Sequence, residues 1–323
     1  MKERLLILLE EGEYVSGEEM SKKLGVSRTA VWKQLTALRD QGYTFESVPK
    51  RGYRLTGRPD TIHAHDVGAF LKTERLGREL HYYDTVSSTQ TVAHEWANKG
   101  AVEGSLVLAN EQQGGRGRLG RPWQSKKGTS VSMSLILRPH IEPHRAPQLT
   151  LLAAVAITRA IEQETGLRCD IKWPNDILLG GKKLVGILTE MAADPDFVQF
   201  VIVGMGVNIN QQQEDFTEKI GDIATSLSIE AGRTIQRAAL VAAIVNEFEW
   251  LYDEYVDHGF VRIRPLWEAR SISVNTYLYA RTPKEVIYGY SLGITDEGIL
   301  RLKDENGAEH FVYSADIELD KRT

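Results

Sequence analysis

Ten consecutive residues, Gly114-Gly115-Arg116-Gly117-Arg118-Leu119-Gly120-Arg121-Pro122-Trp123, hold four glycines, three arginines and a terminal indole. The glycines let the backbone come close to a ligand, at an entropic cost that a loop without a task would rarely carry. Arginine presents a planar fork that fits phosphate or carboxylate, and Trp123 offers a flat face on which a ring can stack. The combination fits capture of a polyanion attached to a ring, such as a nucleotide. The plainer alternatives are an Arg/Gly-rich linker or a nucleic-acid tail.

Two further stretches share that chemistry. Ser87-Ser88-Thr89-Gln90 lies where a helix over 89–99 should begin and Gly100 should stop it. Capping accounts for Ser88 but does not require Thr89 or Gln90, so this run can also hold a neutral polar head such as a urea or an amide. Lys172-Trp173-Pro174-Asn175-Asp176 precedes two apolar strands around a Gly180-Gly181 turn, a β-hairpin with Lys183 just past the turn and Gly186 after it. Most hairpin lysines are merely solvated, yet an acyl-activating site needs one fixed cation, and Lys183 shares its segment with Trp173, Asn175 and Asp176. Gly204-Met205-Gly206-Val207-Asn208 lacks the third glycine of a dinucleotide fingerprint, and neither a Walker A nor a zincin motif occurs. Cys169, the single cysteine, sits among apolar residues and reads as core.

The whole chain bounds these readings. Its 323 residues allow two or three domains, and 42% hydrophobic with 26% charged residues fits a globular chain. No apolar run nears the ~20 residues of a membrane span, no signal peptide is evident, and one cysteine excludes an internal disulfide. A cytoplasmic protein without membrane contact is expected. Residues 1–58 carry 11 Lys/Arg against 8 Asp/Glu, a net of +3, which leaves −8 for the rest of a chain totalling −5. A basic head on an acidic body points to an anionic partner for the head alone.

That head has its own pattern. Helices are expected at Lys2–Glu11, with Leu5, Leu6, Leu8 and Leu9 inward, from the capping box at Ser16 to Leu24-Gly25, and from Ser27 to about Gln41. In the third, Val31, Leu35 and Leu38 share one face, while Arg28, Thr29, Trp32 and Lys33 lie on the other. Strands at 43–46 and 53–55 flank Pro49-Lys50-Arg51-Gly52 and form a basic-tipped wing. Short helix, glycine turn, cationic helix and wing make a winged helix-turn-helix, whose second helix enters the major groove. A three-helix interaction module with solvated charges is the alternative. Gly57-Arg58-Pro59-Asp60 marks the first boundary, with a linker to about Asp66 and a short helix over 67–74.

The body reads as an α/β domain with a mixed sheet, taking strands at 80–83, 105–110, 130–137 and 197–203 and helices at 148–165 and 235–258. From about residue 271 short alternating strands (274–280, 286–292, 300–302 and 310–314) read as a small SH3-like β-barrel. The domains expected are 1–60, 67–270 and 271–323, an α+β multidomain chain.

Taken together, the Ser-Ser-Thr-Gln run, the glycine–arginine loop, Lys172–Asp176 with Lys183, and Gly204–Asn208 resemble a biotin protein ligase. With the N-terminal winged helix-turn-helix, the resemblance is to the bifunctional bacterial type that also represses biotin operons, and it extends over essentially the whole chain. Two positions depart from the common pattern. Gln90 stands where many members carry Asn, which keeps the amide, and Leu119 fills a loop position that is often basic.

The resemblance implies an activity: biotin attacks the α-phosphate of ATP, brought with Mg²⁺, to give biotinyl-5′-AMP and pyrophosphate. A lysine of a biotin carboxyl carrier domain then takes the acyl group. It also implies roles, with Lys183 beside carboxylate and α-phosphate, Arg118 and Arg121 on phosphates, and Arg116 steadying the carboxylate and the closed loop. Ser88, Thr89, Gln90 and Gln112 would hold the ureido ring, with Gly115 and Gly186 giving clearance, Trp123 near the adenine, and Asn175 and Asn208 near the nucleotide. Asp176 would orient the incoming amine and is a candidate Mg²⁺ ligand, although the metal ligands are not identified. Arg28, Thr29, Trp32, Lys33, Lys50 and Arg51 would touch operator DNA, with biotinyl-AMP as corepressor favouring a homodimer. A lipoate-type ligase would share the adenylate chemistry but has no reason for a winged helix. A ligand-sensing transcription factor without catalysis has no need of Lys183.

Overall fold

The computed structural model describes residues 1–10 and 13–320, and its contacts divide the chain into two units, Met1–Ala69 and Phe70–Thr323. In the first unit α1 (Lys2–Glu10), α2 (Gly17–Leu24) and α3 (Arg28–Asp40) precede a hairpin of β1 (Thr44–Val48) and β2 (Gly52–Gly57). Local chemistry sets these boundaries. Ser16 Oγ accepts from the Glu19 amide to start α2, Gly25 closes it at φ +66, and Ser27 Oγ accepts from the Ala30 amide to start α3. Val31, Leu35 and Leu38 of α3 join Leu5, Leu6, Leu9 and Met20 in one small core. The helix-turn-helix and wing stand as the sequence implies; Glu11, the expected last residue of α1, lies outside the described residues.

Beyond the wing the structure departs from expectation. The short helix is α4 (Ala64–Gly68), not 67–74, and residues 61–66 are held rather than free. The reason is the buried carboxylate of Asp66, which accepts from the hydroxyls of Tyr43 and Thr61.

The second unit is built on a seven-stranded mixed sheet. Its elements in chain order are β3 (Leu80–Tyr83), α5 (Thr89–Asn98), β4 (Leu106–Ala109), β5 (Ser130–Leu137), α6 (Ala146–Thr165), β6 (Asp170–Lys172), β7 (Asp176–Leu179), β8 (Lys182–Ala193) and β9 (Val198–Asn208). The strand order is β3-β4-β5-β9-β8-β7-β6, with β3 and β4 parallel and every other pair antiparallel. There follow α7 (Leu227–Ala231), α8 (Arg237–His258) and α9 (Arg264–Glu268), with α8 packed on α6.

The period of two in the strands sorts the faces. Odd residues such as Val131, Met133, Val203, Met205 and Thr189 face α6, where Thr150 Oγ1 donates to Thr189 Oγ1 at 2.7 Å. Even residues face the other way: Ile136, Phe200 and Ile202 pack against Ala93 and Ala97 of α5. Further along the same face the even positions become Ser132, Ser134, Gly204, Gly206 and Gly186.

The tail forms β10 (Tyr277–Arg281), β11 (Val286–Ile294), β12 (Leu300–Lys303), β13 (Glu309–Val312) and β14 (Asp316–Leu319). Their antiparallel order is β13-β12-β11-β10-β14, so the expected SH3-like barrel is not closed: β13 and β14 are the two edges. In this sheet β13 pairs only with β12 and β14 only with β10. The sequence reading also stopped at Ser314 and missed β14.

Candidate active site

The cleft lies on the even face of the sheet, where small side chains leave room. Its floor is Gly186 and Gly206, and the Trp123 indole lies directly on them: a Cβ on Gly206 would overlap the ring, and one on Gly186 would come within 3.0 Å of it. Gly204 gives the same clearance to the Gln90 carboxamide, 2.5 Å from where its Cβ would stand. The free volume is about 110 Å³, below the ~300–1,000 Å³ of an ordinary small-molecule site, because Trp123 covers the floor. Trp123 Nε1 and Ser132 Oγ are buried without a hydrogen-bond partner, a state that costs free energy until a ligand or water pairs them.

The glycine–arginine loop closes over this face. Gly115 accepts from the Trp123 amide at 2.8 Å, and Gly117 donates to the Arg121 carbonyl at 2.7 Å. Arg118 reaches Asn175 Oδ1 at 3.1 Å and Ser314 Oγ at 2.7 Å, while Arg121 pairs with Asp316. Burial pulls the Arg118 guanidinium below its ordinary range, although arginine stays charged at any physiological pH. Arg121 holds the Asp316 carboxyl below the usual carboxylate range. Arg116 lies 3.4 Å from Glu190, which is also 3.2 Å from His94 Nε2.

At the polar end, Ser88 is the N-cap residue of α5 but its side chain makes no capping bond. The cap comes instead from Gln112, whose Oε1 accepts from the Thr89 amide at 2.7 Å and from the Thr89 hydroxyl at 3.1 Å. Ser134 Oγ lies 2.9 Å from both Thr89 Oγ1 and Gln90 Oε1. Gln90 Nε2 donates to the carbonyls of Leu188 and Ile202, which ties α5 to the sheet. At the opposite end Lys183 Nζ is 2.7 Å from Asp176 Oδ1 and 5.7 Å from the Trp123 ring centre. Asn175 Nδ2 donates to the Ile187 carbonyl at 2.8 Å, which aims its oxygen at Arg118.

Ser88, Thr89, Gln90, Gln112, Arg116, Arg118, Arg121, Trp123, Asn175, Asp176, Lys183 and Gly186 all line the one cleft. Gly115 sits behind it, where a Cβ would stand 2.6 Å from the Trp123 carbonyl. Asn208 ends β9 outside the lining and accepts from Gln211 Nε2 at 2.9 Å. Sequence reasoning missed Ser132, Ser134, Glu190 and Asp316, and it gave Gly204, part of the Gly204–Asn208 motif, no role of its own. The alternating serines of Ser130–Ser134 and the paired glycines 204 and 206 were a visible signal; Glu190 and Asp316 had none.

The cleft therefore offers a polar end built of hydroxyls and amides, a glycine floor, and a cationic end with one ammonium and several guanidinium groups. That arrangement can align two anions for in-line attack and stabilise the charge that develops. In the first unit Arg28, Thr29, Trp32 and Lys33 are exposed on α3, and Lys50 and Arg51 at the wing tip. Arg28 is paired with Glu18, and Arg51 stacks 4.5 Å from the Tyr14 ring centre.

Residues 82–208 match the biotin/lipoate A/B protein ligase family, residues 2–54 an HTH domain, and residues 280–320 the biotin protein ligase C terminal domain. The bifunctional ligase/repressor BirA of Bacillus subtilis is 51% identical over 307 residues, covering 95% of this chain and 94% of its own. That of Escherichia coli is 27% identical over 302 residues, 94% of this chain and 92% of its own. Among solved structures, a biotin protein ligase from Aquifex aeolicus in complex with biotin and ATP shares the fold at a TM-score of 0.65 and 24% identity, over 75% of this chain and all of that one. A mutant of the same ligase in complex with biotin is 26% identical at the same TM-score, over 75% of this chain and 98% of its own.

Proposed function

We propose, for a chain that belongs to the bifunctional ligase/repressor family of biotin protein ligases, that the cleft activates biotin with ATP and passes it to a protein lysine. Biotin lies with its ureido ring at Ser88, Thr89, Gln90 and Gln112 and its carboxylate towards Lys183 and Arg116. A carboxylate oxygen attacks the α-phosphorus, the bond to the bridging oxygen breaks, and pyrophosphate leaves. Lys183 stabilises the charge gathering on the α-phosphate, and Arg118 and Arg121 hold the phosphates. Trp123 lifts from its glycine floor and packs beside the adenine, with Asn175 near the nucleotide and Asn208 behind it.

The mixed anhydride is then an acylating agent that the free carboxylate is not. The ε-amine of a lysine on a biotin carboxyl carrier domain attacks the carbonyl, AMP departs, and an amide forms with loss of one amine proton. Asp176, held beside Lys183, orients that amine and is a candidate ligand for the Mg²⁺ that would enter with the nucleotide. Mg²⁺ arriving with ATP would supply charge neutralisation at the phosphates.

Residues 1–60 form the operator-binding domain through Arg28, Thr29, Trp32, Lys33, Lys50 and Arg51. Residues 67–270 form the catalytic domain, and 271–323 a domain of the SH3-like type. Biotinyl-AMP orders the loop and favours a homodimer that pairs two winged helices on a two-fold operator. When acceptor consumes the adenylate, the cytoplasmic monomer acts as ligase.

The observation that carries the reading is the pairing of one held ammonium, Lys183 at 2.7 Å from Asp176, with an arginine loop folded over the same glycine floor. Incubation with biotin, Mg-ATP and an unmodified carrier domain should add one biotin to a single acceptor lysine, read by intact mass. An acceptor left unmodified in the presence of all three would overturn it.

A further inference from the structure

Away from the cleft, His63, His65 and Asp66 bring three ligand atoms within 4.8 Å of one another, all inside the first unit. His63 Nδ1 lies 3.3 Å from one Asp66 oxygen and His65 Nε2 lies 3.3 Å from the other. The two imidazoles are near parallel, 14° apart with centres 5.6 Å apart. Asp66 is 1% exposed.

The carboxylate does not need the histidines as donors. The hydroxyl of Tyr43 donates to Oδ1 and that of Thr61 to Oδ2, one on each oxygen. Tyr43 Oη also lies 3.0 Å from His65 Nε2. A neutral imidazole can turn either an N–H or a lone pair towards the carboxylate, and with both lone pairs turned inward the three groups face a point that a cation would fill. The nitrogen–oxygen separations of 3.3 Å are within hydrogen-bond reach and also near the ~3.3 Å edge of a tetrahedron with bonds of 2.0–2.1 Å, and the ligand atoms, up to 4.8 Å apart, would draw together on an ion.

We propose that His63, His65 and Asp66 bind one divalent transition-metal ion of the zinc type, with water in the fourth position. Imidazole and carboxylate are ordinary ligands for such an ion. Tyr43 and Thr61 supply the outer hydrogen bonds that orient the carboxylate, as metal sites require. The ion would fasten residues 61–66 beneath Tyr43, at the point where the chain leaves the wing.

The test uses the full-length protein, stripped with chelator and titrated with Zn²⁺ by calorimetry, with bound metal counted after dialysis. One ion per chain is expected, bound about 10–100-fold more weakly in His63→Ala and in His65→Gln. His63 is 45% exposed, so the first variant leaves the buried carboxylate and its hydroxyl donors in place. Wild-type protein that retains no more Zn²⁺ than the His63→Ala variant would overturn the proposal. So would histidine resonances at 63 and 65 that titrate with pH but do not move on addition of Zn²⁺.

Discussion

Glycine 115 shows how one hydrogen in place of a side chain sets the cleft. A Cβ on it would stand 2.6 Å from the Trp123 carbonyl oxygen and 2.8 Å from Gln112 Nε2, so a side chain would push both away. Gly115→Ser should therefore loosen the loop more than it harms the polar end. Bound biotinyl-AMP is expected to escape roughly tenfold faster, about 1.4 kcal/mol of lost retention, while biotin affinity changes less; a chase with unlabelled ligand measures both. In the proposed reaction Lys183 carries the chemistry itself. Lys183→Met should slow adenylate formation by about 10²–10³, the usual cost of removing one charge-stabilising donor, with an unchanged melting temperature because the side chain is 35% exposed. A pyrophosphate-release assay reads the rate. At this scale the sequence was a good guide wherever chemistry was clustered along the chain. It was silent where partners come from far away: Asp316 meets Arg121 across 195 positions, and Glu190 meets Arg116 across 74.

Secondary-structure elements were legible where a capping residue and a periodic apolar face agreed. Ser16, Gly25 and Ser27 set the helix-turn-helix boundaries, and Gly180-Gly181 set the hairpin that carries Lys183. Elements held by tertiary contacts were not. The brief α4 exists because Asp66 is buried under Tyr43, and β14 exists because β10 offers it an edge. Glu249 of α8 is a third case. Its carboxylate accepts from the backbone amides of Glu74, Arg75 and Leu76, each at 2.8 Å, and fixes the turn that leads into β3. Burial alone would raise this carboxyl; the three amides outweigh it and hold it below its ordinary value. A depressed carboxyl stabilises the fold above its unfolded pKa of about 4.3, and the contribution is lost as pH falls through the lower folded value. Glu249→Gln should cost about 1.5–3 kcal/mol at pH 7, and urea titrations of the two proteins should converge as pH falls below the unfolded pKa of about 4.3.

At the level of the whole molecule, the contacts divide the chain into two units, the first with a core of its own, and the proposed division of function follows that line. Removal of residues 1–69 should abolish operator binding in a gel-shift assay and leave a folded unit that still forms adenylate from biotin and Mg-ATP. Charge separates a basic head, residues 1–58, from an acidic body, and the contacts divide the chain after Ala69. Closure of the tail was not legible, since alternation identifies strands without saying which edges meet. The central claim is that the glycine-floored cleft makes an acyl-adenylate from biotin. Mass spectrometry of the full-length protein mixed with Mg-ATP, and with biotin or lipoate in separate tubes, tests it most directly. Biotinyl-AMP in the first tube and no adenylate in the second is the predicted result. Adenylate from lipoate alone, or tight biotin binding with no adenylate, would contradict it.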